Sequence, residues 1–225
     1  MELKAIIFDL DGVIVDTAKF HYKAWRALAN DLGFDLTKEQ NEQLKGVSRM
    51  ESLDIILSIG GIDLSLEKKT DLAAQKNANY QDMIKSLEPG DMLPGVESLI
   101  RQIKEAELSM GLGSASKNAR TILEYIGIRD QFDVIVDGTN ITRAKPDPQV
   151  FELGADEMGV PYNQVMVVED SISGIQAANK VGMFSLGIGE EHTLDMADCV
   201  LPGFDGVDLA QLKNLFSEKR NDKDS

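Results

Sequence analysis

The sequence predicts an α/β protein: a doubly wound parallel sheet with an inserted helical cap domain. Two observations lead to this fold class. Short apolar stretches without strict alternation recur along the chain and are separated by helical segments, which is typical of strands buried on both faces of a parallel sheet. After the first stretch, about 70 residues show helical patterns only, whereas a strand-to-strand crossover needs about a dozen.

Six stretches are predicted strands, and each of the first four is followed by a polar residue or glycine. In chain order they are Ala5–Phe8, Leu108–Leu112, Val134–Val136, Val165–Val168 and the weaker Phe184–Ile188 and Cys199–Leu201. Helices are expected between them, at Gly95–Ala106, Lys117–Ile126, Pro148–Met158 and Ser171–Val181. This alternation indicates a doubly wound sheet.

The all-helical stretch divides the chain into two predicted domains. Residues 17–87 form the helical cap domain, and residues 1–16 with 88–225 form the core domain. The predicted cap helices are Thr17–Leu32, Lys38–Leu44, Arg49–Ile59 and Ser65–Ser86. The two crossings, near Val15–Thr17 and Leu87–Pro89, would act as a hinge, and the tail Ser217–Ser225 is expected to fray.

The composition opposes several classes of partner. The 225 residues include 23 Lys and Arg against 38 Asp and Glu, a formal net charge of −15, which disfavours nucleic acid and anionic membranes. The apolar runs are too short for a membrane helix or a signal peptide. The single cysteine, Cys199, cannot form an intrachain disulfide, so a cytoplasmic protein is expected. Without an exposed heptad or apolar helix, a monomer is expected.

Two acidic pairs lie at the ends of predicted strands. Asp9 and Asp11 follow the first strand, with Leu10 pointing away, and Glu169 and Asp170 follow the fourth. The first pair could be an ordinary cap or turn, and Asp170 could simply N-cap the next helix. Because ligands of such sheets bind beyond the carboxyl ends of the strands, the four carboxylates would meet there and repel one another without a cation. Oxygen ligands of this kind favour Mg²⁺, with all four residues as candidate ligands.

A hydroxyl and a lysine follow the second and third predicted strands. Ser114 opens a run through Ala115, Ser116, Lys117 and Asn118 that can bind an anion or be a simple turn capped by Ser116. Lys145 precedes a proline that keeps it out of helical geometry. It is either a surface lysine or a group that neutralises a phosphate or a carboxylate.

Together these strand ends fit attack by a carboxylate on a phosphoryl group. Asp9 would be the nucleophile, Lys145 and Mg²⁺ would cancel charge, and Ser114 would bind a phosphoryl oxygen. Asp11 would exchange a proton with the leaving or attacking hydroxyl, which requires that the two aspartates sit in unequal environments.

The chain resembles the haloacid dehalogenase-like superfamily and, within it, the β-phosphoglucomutase family. The segments FDLDGVIVDT, GSASKN, AKPDP and VVEDSISGI carry the resemblance, run in the family order and span most of the chain. In the cap, the segment LKGVSR, from Leu44 to Arg49, looks like the family's cap loop, although it could also be a surface turn with a helix start at Ser48.

The resemblance implies roles for cap residues. Arg49 would grip the non-reacting phosphate, His21 would help to align Asp11, and Lys76 would reach the active site. His21 and Trp25 could instead be ordinary structural residues. The implied catalytic residues are Asp9, Asp11, Thr17, His21, Ser114 and Lys145. The implied substrate-binding residues are Asp11, Trp25, Gly46, Val47, Arg49, Ser52, Lys76, Ala115, Ser116, Lys117 and Asn118.

The activity that the resemblance implies is an isomerase acting on sugar phosphates. It would interconvert β-D-glucose 1-phosphate and D-glucose 6-phosphate through an aspartyl-phosphate enzyme and a β-glucose 1,6-bisphosphate intermediate. One alternative is a sugar-phosphate phosphatase with the same aspartyl-phosphate chemistry. Another is a receiver domain that accepts a phosphate as a signal, although such a domain needs neither Asp11 nor the long cap.

Overall fold

The computed structural model describes residues 2–44 and 47–223. Its sheet has six parallel strands in the order β3-β2-β1-β4-β5-β6. The strands are β1 (Ala5–Phe8), β2 (Ser109–Gly113), β3 (Val134–Val136), β4 (Val165–Glu169), β5 (Phe184–Ile188) and β6 (Cys199–Leu201). The predicted fold class is confirmed, with strand boundaries shifted by one residue in β2 and β4.

The strand order reverses beside β1. Phe8 at the end of β1 pairs with Leu112 of β2 on one side and with Val168 of β4 on the other. From β1, the sheet therefore extends through β2 to β3 on one side and through β4 and β5 to β6 on the other. The carboxyl ends of β1, β2 and β4 lie level at this switch point, which is where open α/β sheets bind ligands.

Nine helices lie within the described residues. They are α1 (Ala18–Asp31), α2 (Lys38–Asn41), α3 (Arg49–Ile59), α4 (Leu66–Ile84), α5 (Val96–Glu105), α6 (Ala119–Tyr125), α7 (Gln149–Met158), α8 (Ile172–Lys180) and α9 (Leu209–Lys223). Serine hydroxyls at Ser48, Ser65 and Ser171 accept backbone N–H bonds at the starts of α3, α4 and α8. These side chains satisfy N–H groups that have no partner inside the helix.

The chain divides into two compact units, residues 17–87 and residues 1–16 with 88–225. The first, hereafter the helical unit, holds α1 to α4, with α4 packed against both α1 and α3. Its core is a buried apolar cluster that includes Trp25, Leu28, Leu53 and Ile56.

The second unit, hereafter the sheet unit, contains the whole sheet. Ile7, Val136 and Val167 project from three strands into an apolar cluster, where they meet Phe151 of α7 and Ala177 of α8. Burial of both sheet faces explains why the strands read as continuous apolar runs rather than as alternating ones.

The C-terminal tail, which was expected to fray, is helical as far as the structure describes it. Residues 217–223 continue α9, a helix that the sequence analysis did not predict. Leu209, Leu212 and Phe216 are buried and follow helical spacing, and the Phe216 ring lies 5.3 Å from that of Phe184. This spacing was available in the sequence. None of the helices described is long and apolar enough to cross a membrane.

Candidate active site

Asp9 directly follows β1, at the switch point of the sheet. It is 7% exposed, and its Oδ2 accepts a hydrogen bond of 3.1 Å from the backbone N–H of Asp11. Leu10 between them is fully buried. Gly12 continues the turn with φ of +78°, a left-handed conformation that favours glycine. The predicted spacing therefore brings both aspartates to one loop and directs Leu10 into the interior.

Lys145 is buried beside Asp9, so it is not a surface lysine. Its ammonium donates to Oδ1 of Asp9 at 2.6 Å, to the carbonyl of Gly113 at 3.0 Å and to Oε1 of Glu169. These three bonds use all three N–H donors of the ammonium. Burial lowers the pKa of Lys145, but the Asp9 and Glu169 carboxylates raise it by more, so the side chain is charged.

Burial and the neighbouring charges shift the pKa of Asp9 in opposite directions. Burial raises its pKa, the Lys145 ammonium opposes this effect and the Glu169 carboxylate adds to it, so that the pKa is about 6. At neutral pH Asp9 is thus ionised and poorly hydrated, as a nucleophile must be.

Three of the four predicted metal ligands converge. One carboxylate oxygen from each of Asp9, Glu169 and Asp170 lies within 4.8 Å of the others. Lys145 balances one of these three negative charges, and a divalent cation would balance the other two. Hard oxygen donors of this kind fit Mg²⁺ or a similar ion. Asp11 lies outside this group, and its role as a ligand stays a prediction.

Two glycines allow the acidic groups to approach the backbone. A Cβ on Gly12 would lie 2.2 Å from Oδ2 of Asp170, and a Cβ on Gly174 would lie 2.0 Å from Cδ of Glu169.

Ser171 holds the second oxygen of Glu169, since its N–H and its hydroxyl each donate to Oε2 at 2.8 Å. Ser171, rather than Asp170, caps α8, since its hydroxyl accepts from the N–H of Gly174.

The loop after β2 carries two serine hydroxyls, those of Ser114 and Ser116, that accept hydrogen bonds from backbone N–H groups of the same loop. The Ser114 hydroxyl accepts from the N–H of Ser116 at 3.1 Å, and the Ser116 hydroxyl accepts from the N–H of Asn118 at 3.2 Å. A hydroxyl that accepts in this way still has its own proton to donate. Helix α6 begins at Ala119, and its N-cap position is Asn118 rather than Ser116. Binding of an anion by this loop stays a prediction.

Asp137, which the sequence analysis did not single out, secures this loop from the end of β3. Its carboxylate, 1% exposed, accepts from the N–H of Thr139 at 2.8 Å and pairs with Nε of Arg120 at 3.0 Å. The next residue, Gly138, donates to the carbonyl of Ser116 at 3.2 Å. A Cβ on Gly138 would lie 2.4 Å from the carbonyl oxygen of Ala115, so the two loops are in close contact.

The helical unit places His21, Trp25 and Lys76 together, as neighbours on α1 and α4. Nζ of Lys76 lies 2.8 Å from Nδ1 of His21 and 4.4 Å from the centre of the Trp25 ring. Tyr80, which the sequence analysis did not name, completes this group, with its ring centre 4.0 Å from that of His21. We call these four residues the lysine cluster.

The other predicted residues of the helical unit occupy two helix starts. Thr17, before α1, is fully buried, and its hydroxyl has no hydrogen-bond partner within the described part of the chain. Arg49 opens α3 and is half-buried, and Val47 precedes its capping residue. Ser52 is buried one turn further along α3. Gly46 lies outside the described residues.

A family model, curated relatives and solved structures all match this chain over most of its length. The family model of haloacid dehalogenase-like hydrolases matches residues 3–182. The chain is 41% identical over 220 residues to a β-phosphoglucomutase from Bacillus subtilis, with 97% of each chain covered. It is 33% identical over 184 residues to a fructose-1-phosphate phosphatase from Escherichia coli, covering 81% of this chain and 95% of that one. The solved structure of a β-phosphoglucomutase from Clostridium difficile matches with a TM-score of 0.93 at 41% identity, over 96% of this chain and 98% of that one.

Proposed function

The chain belongs to the haloacid dehalogenase-like hydrolase family and, within it, to the β-phosphoglucomutases, and we propose that it interconverts β-D-glucose 1-phosphate and D-glucose 6-phosphate. The observation that carries this proposal is the buried Asp9 carboxylate that accepts a hydrogen bond from Lys145, in a chain similar to a β-phosphoglucomutase along nearly its whole length. The substrates are sugar phosphates, and the resident metal is Mg²⁺.

Asp9 carries the phosphoryl group between the two sugar positions. The phosphorylated Asp9 gives its phosphoryl group to the 6-hydroxyl of β-glucose 1-phosphate: the new bond joins phosphorus to that oxygen, and the bond from phosphorus to Asp9 breaks. A carboxylate of Asp9 then attacks the 1-phosphate of the bisphosphate, which releases glucose 6-phosphate and restores the phosphoenzyme.

Asp11 moves the proton in both halves. It accepts the proton of the 6-hydroxyl in the first half and returns a proton to the departing 1-oxygen in the second, so protons balance over the cycle. Its N–H bond to Asp9 supports this role, because it keeps the two residues in a fixed relation.

Electrostatic stabilisation comes from groups around Asp9. The Lys145 ammonium, which already contacts Asp9, faces the negative charge that develops on the phosphoryl oxygens. The Ser114 hydroxyl proton is available to one of these oxygens. Asp9, Asp11, Glu169 and Asp170 would hold Mg²⁺, which when bound neutralises charge between the nucleophile and the phosphoryl group.

The remaining predicted residues bind substrate in this proposal. Arg49, whose planar guanidinium suits bidentate phosphate binding, takes the phosphate that is not reacting. His21 and Thr17 assist catalysis from the helical unit. The sugar is bound by Trp25, Gly46, Val47, Ser52, Lys76, Ala115, Ser116, Lys117 and Asn118. A monomeric state and a cytoplasmic location stay predictions.

A sugar-phosphate phosphatase is the second candidate function. The similarity to a fructose-1-phosphate phosphatase over 95% of that protein's length favours it, because the same aspartyl-phosphate enzyme can give its phosphoryl group to water. Similarity to enzymes over nearly the whole chain disfavours a receiver domain.

³¹P NMR separates the two activities. The enzyme is incubated with β-glucose 1-phosphate, Mg²⁺ and a trace of the 1,6-bisphosphate as primer. We expect glucose 6-phosphate without a matching amount of inorganic phosphate; inorganic phosphate as the main product would identify a phosphatase. Asp9→Asn should abolish turnover, whereas Asp130→Asn, at a side chain that is 95% exposed, should retain it.

A further inference from the structure

The lysine cluster surrounds a buried ammonium with three rings. Lys76 is 2% exposed, and its Nζ lies 4.4 Å from the centre of the Trp25 ring and 4.9 Å from that of Tyr80. Aromatic faces attract a cation and replace part of the hydration that burial removes. The third ring, of His21, offers its Nδ1 at 2.8 Å from the ammonium.

Helical spacing on two helices produces this arrangement. His21 and Trp25 are four residues apart on α1, and Lys76 and Tyr80 are four residues apart on α4. Residues at this spacing share one face of a helix, and the two helices pack against each other. Each helix therefore contributes two members to the cluster.

The contact with Lys76 determines where the His21 ring carries its proton. An ammonium has donors only, so Nδ1 of His21 must accept, and the ring proton of a neutral imidazole then lies on Nε2. A second ring proton is opposed by burial and by the positive charges of Lys76 on α4 and Arg49 on α3, which hold the pKa of His21 well below its usual value. Tyr80 of α4 is the other titratable side chain that faces the ring.

Tyr80 fixes the plane of the His21 ring. Tyr80 is fully buried, and its ring is tilted by 31° from that of His21 at a centre-to-centre distance of 4.0 Å. This contact covers one face of the imidazole and, together with the Tyr80–Lys76 contact, limits rotation of both partners.

We propose that Tyr80 is a positioning residue that holds His21 as a neutral imidazole with its proton on Nε2, so that His21 serves the reaction as a fixed hydrogen-bond donor and leaves proton transfer to Asp11. The catalytic part of this inference rests on the proposed function, because it assigns His21 a task in phosphoryl transfer. The protonation state does not depend on that function.

NMR of the ring nitrogens tests the protonation state directly. The chain has two histidines, so enzyme labelled with ¹⁵N-histidine and saturated with Mg²⁺ gives two ring systems, and His21→Gln identifies the one from His21. We expect a protonated Nε2 and an unprotonated Nδ1 on His21, unchanged between pH 8 and pH 6. A proton on Nδ1, or on both nitrogens, would overturn the inference.

Ring-preserving and ring-removing variants test Tyr80. Tyr80→Leu should lower kcat about tenfold with little change in KM and let the His21 signals average between tautomers, because the imidazole loses its support. Tyr80→Phe keeps the ring and should retain the wild-type His21 signals and most of kcat. Tyr125→Leu, at a partly exposed tyrosine of the sheet unit, controls for loss of any tyrosine.

Measuring both kcat and the NMR signals of His21 distinguishes the possible outcomes. If Tyr80→Leu retains both kcat and the wild-type His21 signals, Tyr80 is not a positioning residue. Should Tyr80→Leu fail to fold, a shift of the His21 signals in Tyr80→Phe to the Nδ1-protonated form would overturn the inference, and retention would support it. If wild-type enzyme lacks mutase activity but shows the expected tautomer, the proposed function fails and the assignment of the His21 proton stands.

Discussion

Nζ of Lys145 lies 2.6 Å from Oδ1 of Asp9 and at the same time donates to Glu169, so one ammonium joins the carboxyl ends of β1 and β4. Residues 136 positions apart in the chain thus form one charged unit at the switch point of the sheet. The unit places a cation beside the proposed nucleophile, Asp9. The same ammonium also contributes to stability, because without it the buried carboxylates of Asp9 and Glu169 would lack a counter-charge.

Replacement of Lys145 by methionine should therefore damage both properties. We expect the free energy of unfolding to fall by about 3–5 kcal/mol, because Asp9 and Glu169 would face each other without a counter-charge. Phosphoryl transfer should slow by at least roughly 100-fold. Urea unfolding and steady-state kinetics measure the two effects. Lys104→Met, at a partly exposed lysine paired with Asp133, should change neither by much.

Gly12 is predicted to be essential for metal binding rather than for folding alone. Gly12→Ala combines a positive φ with a Cβ only 2.2 Å from the Asp170 carboxylate, which must move. Gly33→Ala is the matched control, because Gly33 also has a positive φ but has nothing within 4 Å of its Cβ position.

Both glycine variants should lose roughly 1–2 kcal/mol of stability through backbone strain. Only Gly12→Ala should raise the Mg²⁺ concentration needed for half-maximal activity, by about tenfold or more. Equal Mg²⁺ requirements in the two variants would show that Asp170 does not bind the metal.

Arg49 should distinguish a bisphosphate intermediate from simple hydrolysis. Arg49→Ala is expected to lower kcat/KM for β-glucose 1-phosphate about 100-fold, since a charged, bidentate phosphate contact is lost. Phosphoryl transfer from acetyl phosphate, which has a single phosphate, should change little. Arg26→Ala removes an exposed arginine of the same unit, ion-paired with Asp35, and serves as the control. An equal loss with both phosphate donors would count against the assignment of Arg49.

His21 should make the protein less stable in mild acid. Its pKa is lowered in the folded state, chiefly by burial and then by Lys76, whereas the unfolded chain binds a proton near pH 6.5. Between these two pKa values the unfolded state holds more protons, so stability is full above about pH 6.5 and falls as the pH drops, with a limiting slope of about 1.4 kcal/mol per pH unit.

Urea unfolding of wild type and His21→Gln at pH 7.5, 6.5 and 5.5 measures this contribution. The difference in unfolding free energy between the two proteins should shrink as the pH falls. A difference that stays constant would mean that His21 titrates normally in the folded protein.

Most of the arrangement of the sheet unit could be predicted from the sequence, because it depends on short patterns of neighbouring residues. Each strand is a short apolar run, and Asp9, Ser114 and Glu169 stand at or directly after the ends of strands, so topology brings them to one edge of the sheet. Lys145 reaches the same edge from the loop between β3 and α7. The second oxygen of Glu169 and the cap of α8 depend on Ser171, which a pattern of charged residues does not reveal.

The residues that the sequence patterns did not predict depend on contacts between segments far apart in the chain. Tyr80 belongs to the lysine cluster only because α1 and α4 are packed together. Asp137 contributes through its pairing with Arg120 and through the contact of its neighbour Gly138 with the Ser114 loop. Neither residue stands in a segment that the resemblance to the family had marked.

The central claim is that Asp9 carries the phosphoryl group, and trapping the phosphoenzyme tests it most directly. Enzyme quenched during turnover of β-glucose 1-phosphate is treated with borohydride, which reduces an aspartyl phosphate to homoserine, and is then digested for mass spectrometry. We expect homoserine at position 9, absent from enzyme without substrate. Conversion of β-glucose 1-phosphate with an unmodified Asp9, or modification at another carboxylate, would contradict it.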